Sequence, residues 1–285
     1  MEKMKFRFLV TACILAVTLF AGHPAIASEE ALTLGMIDSS PSKTIQRFTP
    51  LLEYLNGKGV AADKVVVTKS LDAMAEKFTS GEVDFIFESV YSALKMMDDT
   101  GAAPVLIRQK SGVKMYNSVI FVKKDSPIQT LQDLEGKVIA FEDPSSTSSF
   151  MLPRKILENA GLKLKESRKP VPGHVAYYFS KDDDNTIAQV NLGRRADAGG
   201  IKKSEVEGSP DFRLLSPESV NVPRHVLIVR KGVPYDNLKE ILLGMKNDPE
   251  GREVLATIKT KTGFSEFEKD PVEFMNTDMR KALGL

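Results

Sequence analysis

From Ala31 onward, short apolar runs alternate with stretches of helical period. "ALTLGMI" (31–37) is an unbroken apolar run of strand length. In "TIQRFTPLLEYL" (44–55), Ile45, Phe48, Leu51, Leu52 and Leu55 recur at the spacing of one helix face, with Gly57 beyond as a stop. "KVVVT" (64–68), "VDFIF" (83–87) and "APVLIRQ" (103–109) predict strands. "SLDAMAEKFTSG" (70–81) and "VYSALKMMDD" (90–99) predict the helices between them. The long β-branched run "YNSVIFVKKDS" (116–126) follows. Thr130 and Asp133 then have the spacing of a capping box and predict a short helix. Strands are predicted at "KVIAFE" (137–142), "HVAYYFS" (174–180) and "ADAGGI" (196–201), with a helix at "NTIAQVNLG" (185–193). "PRHVLIVRKGV" (223–233) is a second long apolar strand, and Asp248-Pro249 opens one of two closing helices. This alternation predicts an α/β protein with largely parallel sheets.

The pattern also repeats. "LTLGMIDSSPSKTIQRFTPLLEYLNGKG" and "KVIAFEDPSSTSSFMLPRKILENAG" share one plan: an apolar strand, an acidic residue, a serine cluster, a helix and a glycine. "IFESVYS" adds a third turn, with Ser89 after a strand. In open α/β sheets, ligands sit at the carboxyl ends of strands and the amino ends of helices. Two facing lobes would bring the three serine turns to one cleft.

Composition narrows the class. The chain has 285 residues, 42% of them hydrophobic and 27% charged, which is ordinary globular composition with room for two lobes. A formal net charge of +1 argues against a dedicated nucleic-acid binder, which normally shows a basic stripe. Residues 1–27 have a basic start, an apolar run too short to span a membrane comfortably, and an A-x-A site at Ala25-Ile26-Ala27. They read as a cleaved secretory signal. The one cysteine, Cys13, lies in that apolar run. The mature chain from about Ser28 therefore carries no thiol for a disulfide or a cysteine metal site, and suits an oxidising compartment.

The chemistry concentrates in "EDPSSTSSFMLP" (142–153). A helix N-terminus has unpaired N–H groups and partial positive charge, and Ser and Thr hydroxyls can turn a donor toward a bound oxyanion. Pro153 lacks an N–H, so an irregular start to this helix is expected, with amides near Ser146 to Ser149 free to face a ligand. One serine would be read as a cap; five hydroxyl residues in a row, echoed in the other half, favour ligand binding. No G-x-x-x-x-G-K-[ST], G-x-S-x-G or H-E-x-x-H occurs. His174 and His225 have no partner at metal-ligand spacing and read as structural. No catalytic residue, metal or cofactor is assigned.

The run "YNSVIFVKKDSPIQTLQDLEGKVIAFEDPSSTSSFMLP" closely resembles the periplasmic substrate-binding proteins of phosphate/phosphite/phosphonate ABC transporters. "GEVDFIFES", "DDDNT", "RADAGG" and "VPRHVLIVRK" extend the likeness from about Leu32 over nearly all of the mature chain. The resemblance implies a type II periplasmic-binding-protein fold: two α/β lobes joined by a two-strand hinge near Tyr116–Ser118 and Val222–His225. The first lobe is expected from 28–116 and 225–285, the second from 117–224. It implies ligand contacts from Ser146, Thr147 and Ser148, from the hinge residue Tyr116, and less firmly from Ser39, Ser40 and Asn185. Ser89 joins them on its third turn. Ser149 stands where the family often has glycine, which narrows the room for a bulky substituent. Glu88 departs from a neutral segment in many relatives. A carboxylate beside an oxyanion calls for a proton or an amine on the ligand; otherwise it caps a helix or faces solvent.

The resulting expectation is a monomeric, extracytoplasmic protein that captures a small phosphorus oxyanion and delivers it to ABC permease subunits in the membrane. Neutral donors and helix N-termini, not a lysine cluster, are expected to hold the anion. Two alternatives stay open: a sensory module presenting the same ligand to a membrane receptor kinase, and an enzyme on the same fold.

Overall fold

The computed structural model describes residues 31–193 and 195–285; the expected signal segment, residues 1–27, lies outside them. Among the described residues no helix is long and apolar enough to cross a membrane.

β1 (Leu32–Ile37) leads into α1 (Pro41–Gly57), which returns to β2 (Ala62–Thr68) beside it. α1 buries Phe48, Leu51, Leu52 and Leu55, while Ile45 is 41% exposed, so the apolar stripe starts one turn later than predicted. α2 (Leu71–Thr79) is capped by Ser70, whose Oγ accepts the Ala73 N–H at 3.2 Å. β3 (Phe85–Glu88) runs directly into α3 (Val90–Thr100), and β4 (Ala103–Arg108) follows. The chain then passes through β5 (Met115–Tyr116) to β6 (Ser118–Lys123), β7 (Val138–Phe141) and α4 (Leu152–Asn159). β8 (Leu164–Glu166), β9 (Val175–Phe179), α5 (Asp183–Leu192), β10 (Ala198–Lys202) and β11 (Phe212–Leu214) come next. The return is made by β12 (Val222–Pro223) and β13 (His225–Val229). α6 (Asp236–Gly244), α7 (Pro249–Thr257), β14 (Phe264–Ser265), α8 (Pro271–Glu273) and α9 (Arg280–Leu283) complete the chain.

Two lobes result, each around one sheet, in the orders β14-β4-β13-β3-β1-β2 and β11-β6-β10-β7-β9-β8. Between them β5 and β12 form a two-stranded antiparallel ribbon with Tyr116 opposite Val222. The two long apolar runs are thus each interrupted, at Asn117 and Arg224, into a ribbon strand and a lobe strand.

The sheets are mixed and not largely parallel. β13 runs antiparallel to β3 and β4, and β6 antiparallel to β10 and β11. The cause is the crossover. A strand arriving from the other lobe enters its sheet at the cleft end, opposite to a strand whose helix follows it at that end.

The C-terminal segment touches both lobes: α9 packs on α4 of the second, while Arg280 pairs with Asp98 on α3 of the first.

Candidate functional site

The turn after β7 is built by its sequence. Pro153 has no N–H to give the Ser149 carbonyl, the bond an α-helix would make there. The Glu142 N–H takes that carbonyl instead, at 3.2 Å. Residues Thr147–Met151 widen into a π turn, closed by Met151 N–H on the Ser146 carbonyl at 3.0 Å. Ser146 caps it, its Oγ accepting the Ser149 N–H at 3.1 Å. Thr147 and Ser148 hold the first two positions, where N–H groups have no acceptor within the turn. Gly200 on β10 lets the helix sit this close. A Cβ there would lie 2.6 Å from side-chain atoms of both Phe141 and Pro153.

A cleft of about 840 Å³ opens between the lobes at this turn. Ser146, Thr147 and Ser148 line it from the second lobe; Ser39, Glu88 and Ser89 line it from the first. Tyr116 and Arg224 line it from the hinge, the guanidinium 5.2 Å from the centre of the phenol ring. Burial pushes the Tyr116 phenol up to about 12, against the opposing influence of Arg224, Ser148 and Thr147. Across the cleft, the Tyr91 N–H at the start of α3 donates to Thr147 Oγ1 at 2.8 Å.

Two expected residues do not line the cleft. Ser40 is exposed beyond the β1 turn, its N–H turned onto Asp38 Oδ1 at 2.8 Å. Asn185 is exposed in the first turn of α5; its N–H and Nδ2 both donate to the N-cap carboxylate of Asp182, at 2.7 and 2.8 Å. The first-turn amide of α5 is therefore satisfied locally, and the side chain follows it. Ser149 is not a lining residue either. Its buried hydroxyl donates to Asp183 Oδ1 at 2.7 Å, so it does not narrow the cleft in the expected way.

The cleft is richer in charge than its serines suggest. Lys69, Lys95, Lys110, Lys181, Lys202 and Arg224 all line it. Lys202, at the end of β10, is committed to Asp183 at 3.0 Å and Glu205 at 2.8 Å. Lys95 is likewise paired, with Asp99 and Asp72. Lys110, just past β4, has no carboxylate within ion-pair distance among the described residues; its Nζ lies 3.5 Å from His225 Nε2. Burial, with Arg224 and Arg108 nearby, lowers the Lys110 ammonium to about 8. His225 also lines the cleft, and burial beside Lys110 and Arg224 holds its imidazole well below the ordinary range. Carboxylates are interspersed with these cations, since Asp38, Asp72, Glu88, Glu142, Asp143 and Asp183 also line the cleft, so charged groups stand beside the neutral donors of the hydroxyl turn. In the sequence, Lys110 and Lys202 stand out only as charged residues that follow or end a strand, β4 and β10.

Glu88 ends β3 and forms no ion pair within 4 Å among the described residues; its Oε2 accepts the Ser89 N–H at 3.3 Å. Burial raises its carboxyl to about 7, against the opposing pull of Lys110, the Ser89 amide and Arg108. Glu142 beside the π turn is also raised, by burial and by Asp183.

Two α/β lobes on a two-strand ribbon, with an anion-competent turn in the cleft between them, define a hinged solute-binding protein. The chain belongs to the family of periplasmic substrate-binding proteins of phosphonate ABC transporters, whose family model matches residues 35–271. It is 26% identical to the probable ABC transporter phosphite binding protein PhnD1 of Prochlorococcus marinus, over 71% of this chain and 67% of that one. It is 28% identical to the phosphonates-binding periplasmic protein of Escherichia coli, over 84% of this chain and 73% of that one. Among solved structures it is similar to XAC2383 from Xanthomonas citri bound to chloride ion, with a TM-score of 0.80 and 25% identity, over 89% of this chain and 97% of that one.

Proposed function

We propose that this protein is an extracytoplasmic solute-binding protein. It captures a small phosphorus oxyanion (a phosphonate, phosphite or phosphate) between its lobes and delivers it to the permease of an ABC transporter. The observation that carries this reading is the π turn: Ser146, Thr147 and Ser148 at its start line the cleft, and Lys110 and Arg224 line it with no carboxylate in ion-pair distance among the described residues. Membership of a phosphonate-transport family supports the ligand class. The role is capture by a single chain, with no bond made or broken. Closure removes water from the anion and strengthens each hydrogen bond to it. Isothermal titration calorimetry of the refolded, ligand-free protein against methylphosphonate, phosphite, phosphate and sulfate tests the reading. Binding of at least one phosphorus oxyanion is expected; binding of none, or of sulfate alone, overturns it.

A further inference from the structure

Glu88 is a half-buried acceptor in the cleft, beside the cation Lys110 and among lining carboxylates that include Asp38, Glu142 and Asp183. β3 delivers it to the cleft at the point where α3 begins. The charged groups around it come from every neighbouring element: Asp38 after β1, Arg108 on β4, Lys110 in the turn beyond, and Arg224 and His225 leading into β13. Glu142, Asp143, Lys181, Asp183 and Lys202 line the cleft from the other lobe, with Lys202 and Asp183 already paired with each other. Among the described residues no ion pair within 4 Å neutralises Glu88, and Arg108 is held by Thr260 Oγ1 at 2.9 Å and by the Ile258 carbonyl. A carboxylate so placed repels an oxyanion oxygen unless a proton lies between them.

We infer that Glu88 selects for a ligand that carries an ionisable P–O–H, so that the site takes phosphonates or hydrogen phosphate and rejects the isosteric sulfonates. The inference rests on the phosphorus-oxyanion reading and names the residue that would tell phosphorus from sulfur. Phosphorus oxyacids of this kind lose their second proton near neutral pH, so the ligand can donate to the carboxylate. A sulfonate has no such proton, and its oxygens would leave Glu88 facing a second acceptor. Raising Glu88 to about 7 keeps one proton available to the pair through the neutral range. Below that range Glu88 itself holds a proton and can donate to a sulfonate, so selectivity should fade in acid.

The test is calorimetric titration of wild type and Glu88→Gln with methylphosphonate and methanesulfonate at pH 5.5 and 7.5. Wild type should prefer methylphosphonate by roughly threefold or more at pH 7.5, with the gap narrowing at pH 5.5. In Glu88→Gln, whose amide donates at either pH, the gap should narrow at both. A wild type that binds both ligands equally at pH 7.5, or a variant that keeps the wild-type ratio, overturns the role of Glu88 and leaves the capture of phosphorus oxyanions standing. If neither ligand binds wild type, phosphate and sulfate take their place in the same titrations, and equal affinity for those two at pH 7.5 overturns the inference while the capture of phosphorus oxyanions stands. Should the variant fail to fold, a wild-type ratio that does not change with pH overturns the inference by itself.

Discussion

The Tyr91 N–H donates to Thr147 Oγ1 at 2.8 Å, so the first amide turn of α3 in one lobe is held by the π turn of the other. Thr147 is 1% exposed, and its hydroxyl is engaged in joining the lobes. Replacement by valine keeps the shape and removes the acceptor. Thr147→Val should weaken methylphosphonate binding about tenfold, the worth of one such bond, while Thr147→Ser should stay close to wild type. Titration calorimetry of both variants checks this; equal affinity in the valine variant would show that the bond is incidental to closure.

Ser146 and Ser148 should separate into two effects. Ser146 caps the π turn, so Ser146→Ala should lower stability by about 1 kcal/mol as well as weaken binding. Ser148 has no such cap, and its alanine variant should bind less tightly with a nearly unchanged denaturation midpoint. Each lost bond to a charged ligand should cost roughly 1–3 kcal/mol of affinity. Urea denaturation beside titration calorimetry reads the two effects apart.

Glu88 predicts a pH effect on stability without ligand. Its ordinary value is 4.5 and its value in the fold about 7. Between those values the native state keeps a proton that the unfolded chain has lost. Stability therefore falls as pH rises through this window, and the penalty persists above 7. Glu88→Gln removes that penalty. The variant should be more stable than wild type at pH 8, by roughly 1–3 kcal/mol, and indistinguishable from it near pH 4. Urea midpoints at the two pH values decide it; a difference independent of pH would show that Glu88 does not titrate in this way.

Gly200→Ala tests the seat of the π turn. The added methyl would press on Phe141 and Pro153, 2.6 Å from each, and should cost about 1–3 kcal/mol of stability as overpacking. Because α4 would have to shift, methylphosphonate affinity should fall as well. A variant with wild-type stability and affinity would show that the helix can slide without consequence.

Much of the fold is legible in the sequence because it depends on local period. The stripe Phe48, Leu51, Leu52 and Leu55 and the β-branched run 64–68 mark their elements without tertiary help. The irregular helix start follows from Pro153 alone. Strand direction is not legible, because β6 and β13 run against their neighbours only through the route of the crossover. The site divides in the same way. Ser146 to Ser148 announce themselves by clustering, whereas Lys110 and the pair Arg224-His225 gather from two distant stretches and are ordinary residues in each. Asn185 misleads because "DDDNT" looks like a polar site, while its side chain completes the cap begun by Asp182.

The bond from the Glu142 N–H to the Ser149 carbonyl ties the exit of β7 to the far side of the turn it feeds. With Ser146 closing the near side, the loop is fastened at both ends within its own lobe. Its conformational freedom is lost when the chain folds, not when a ligand arrives. A rigid receptor of this kind meets its ligand with little further entropy to lose, and that lets a molecule with very few atoms be held tightly.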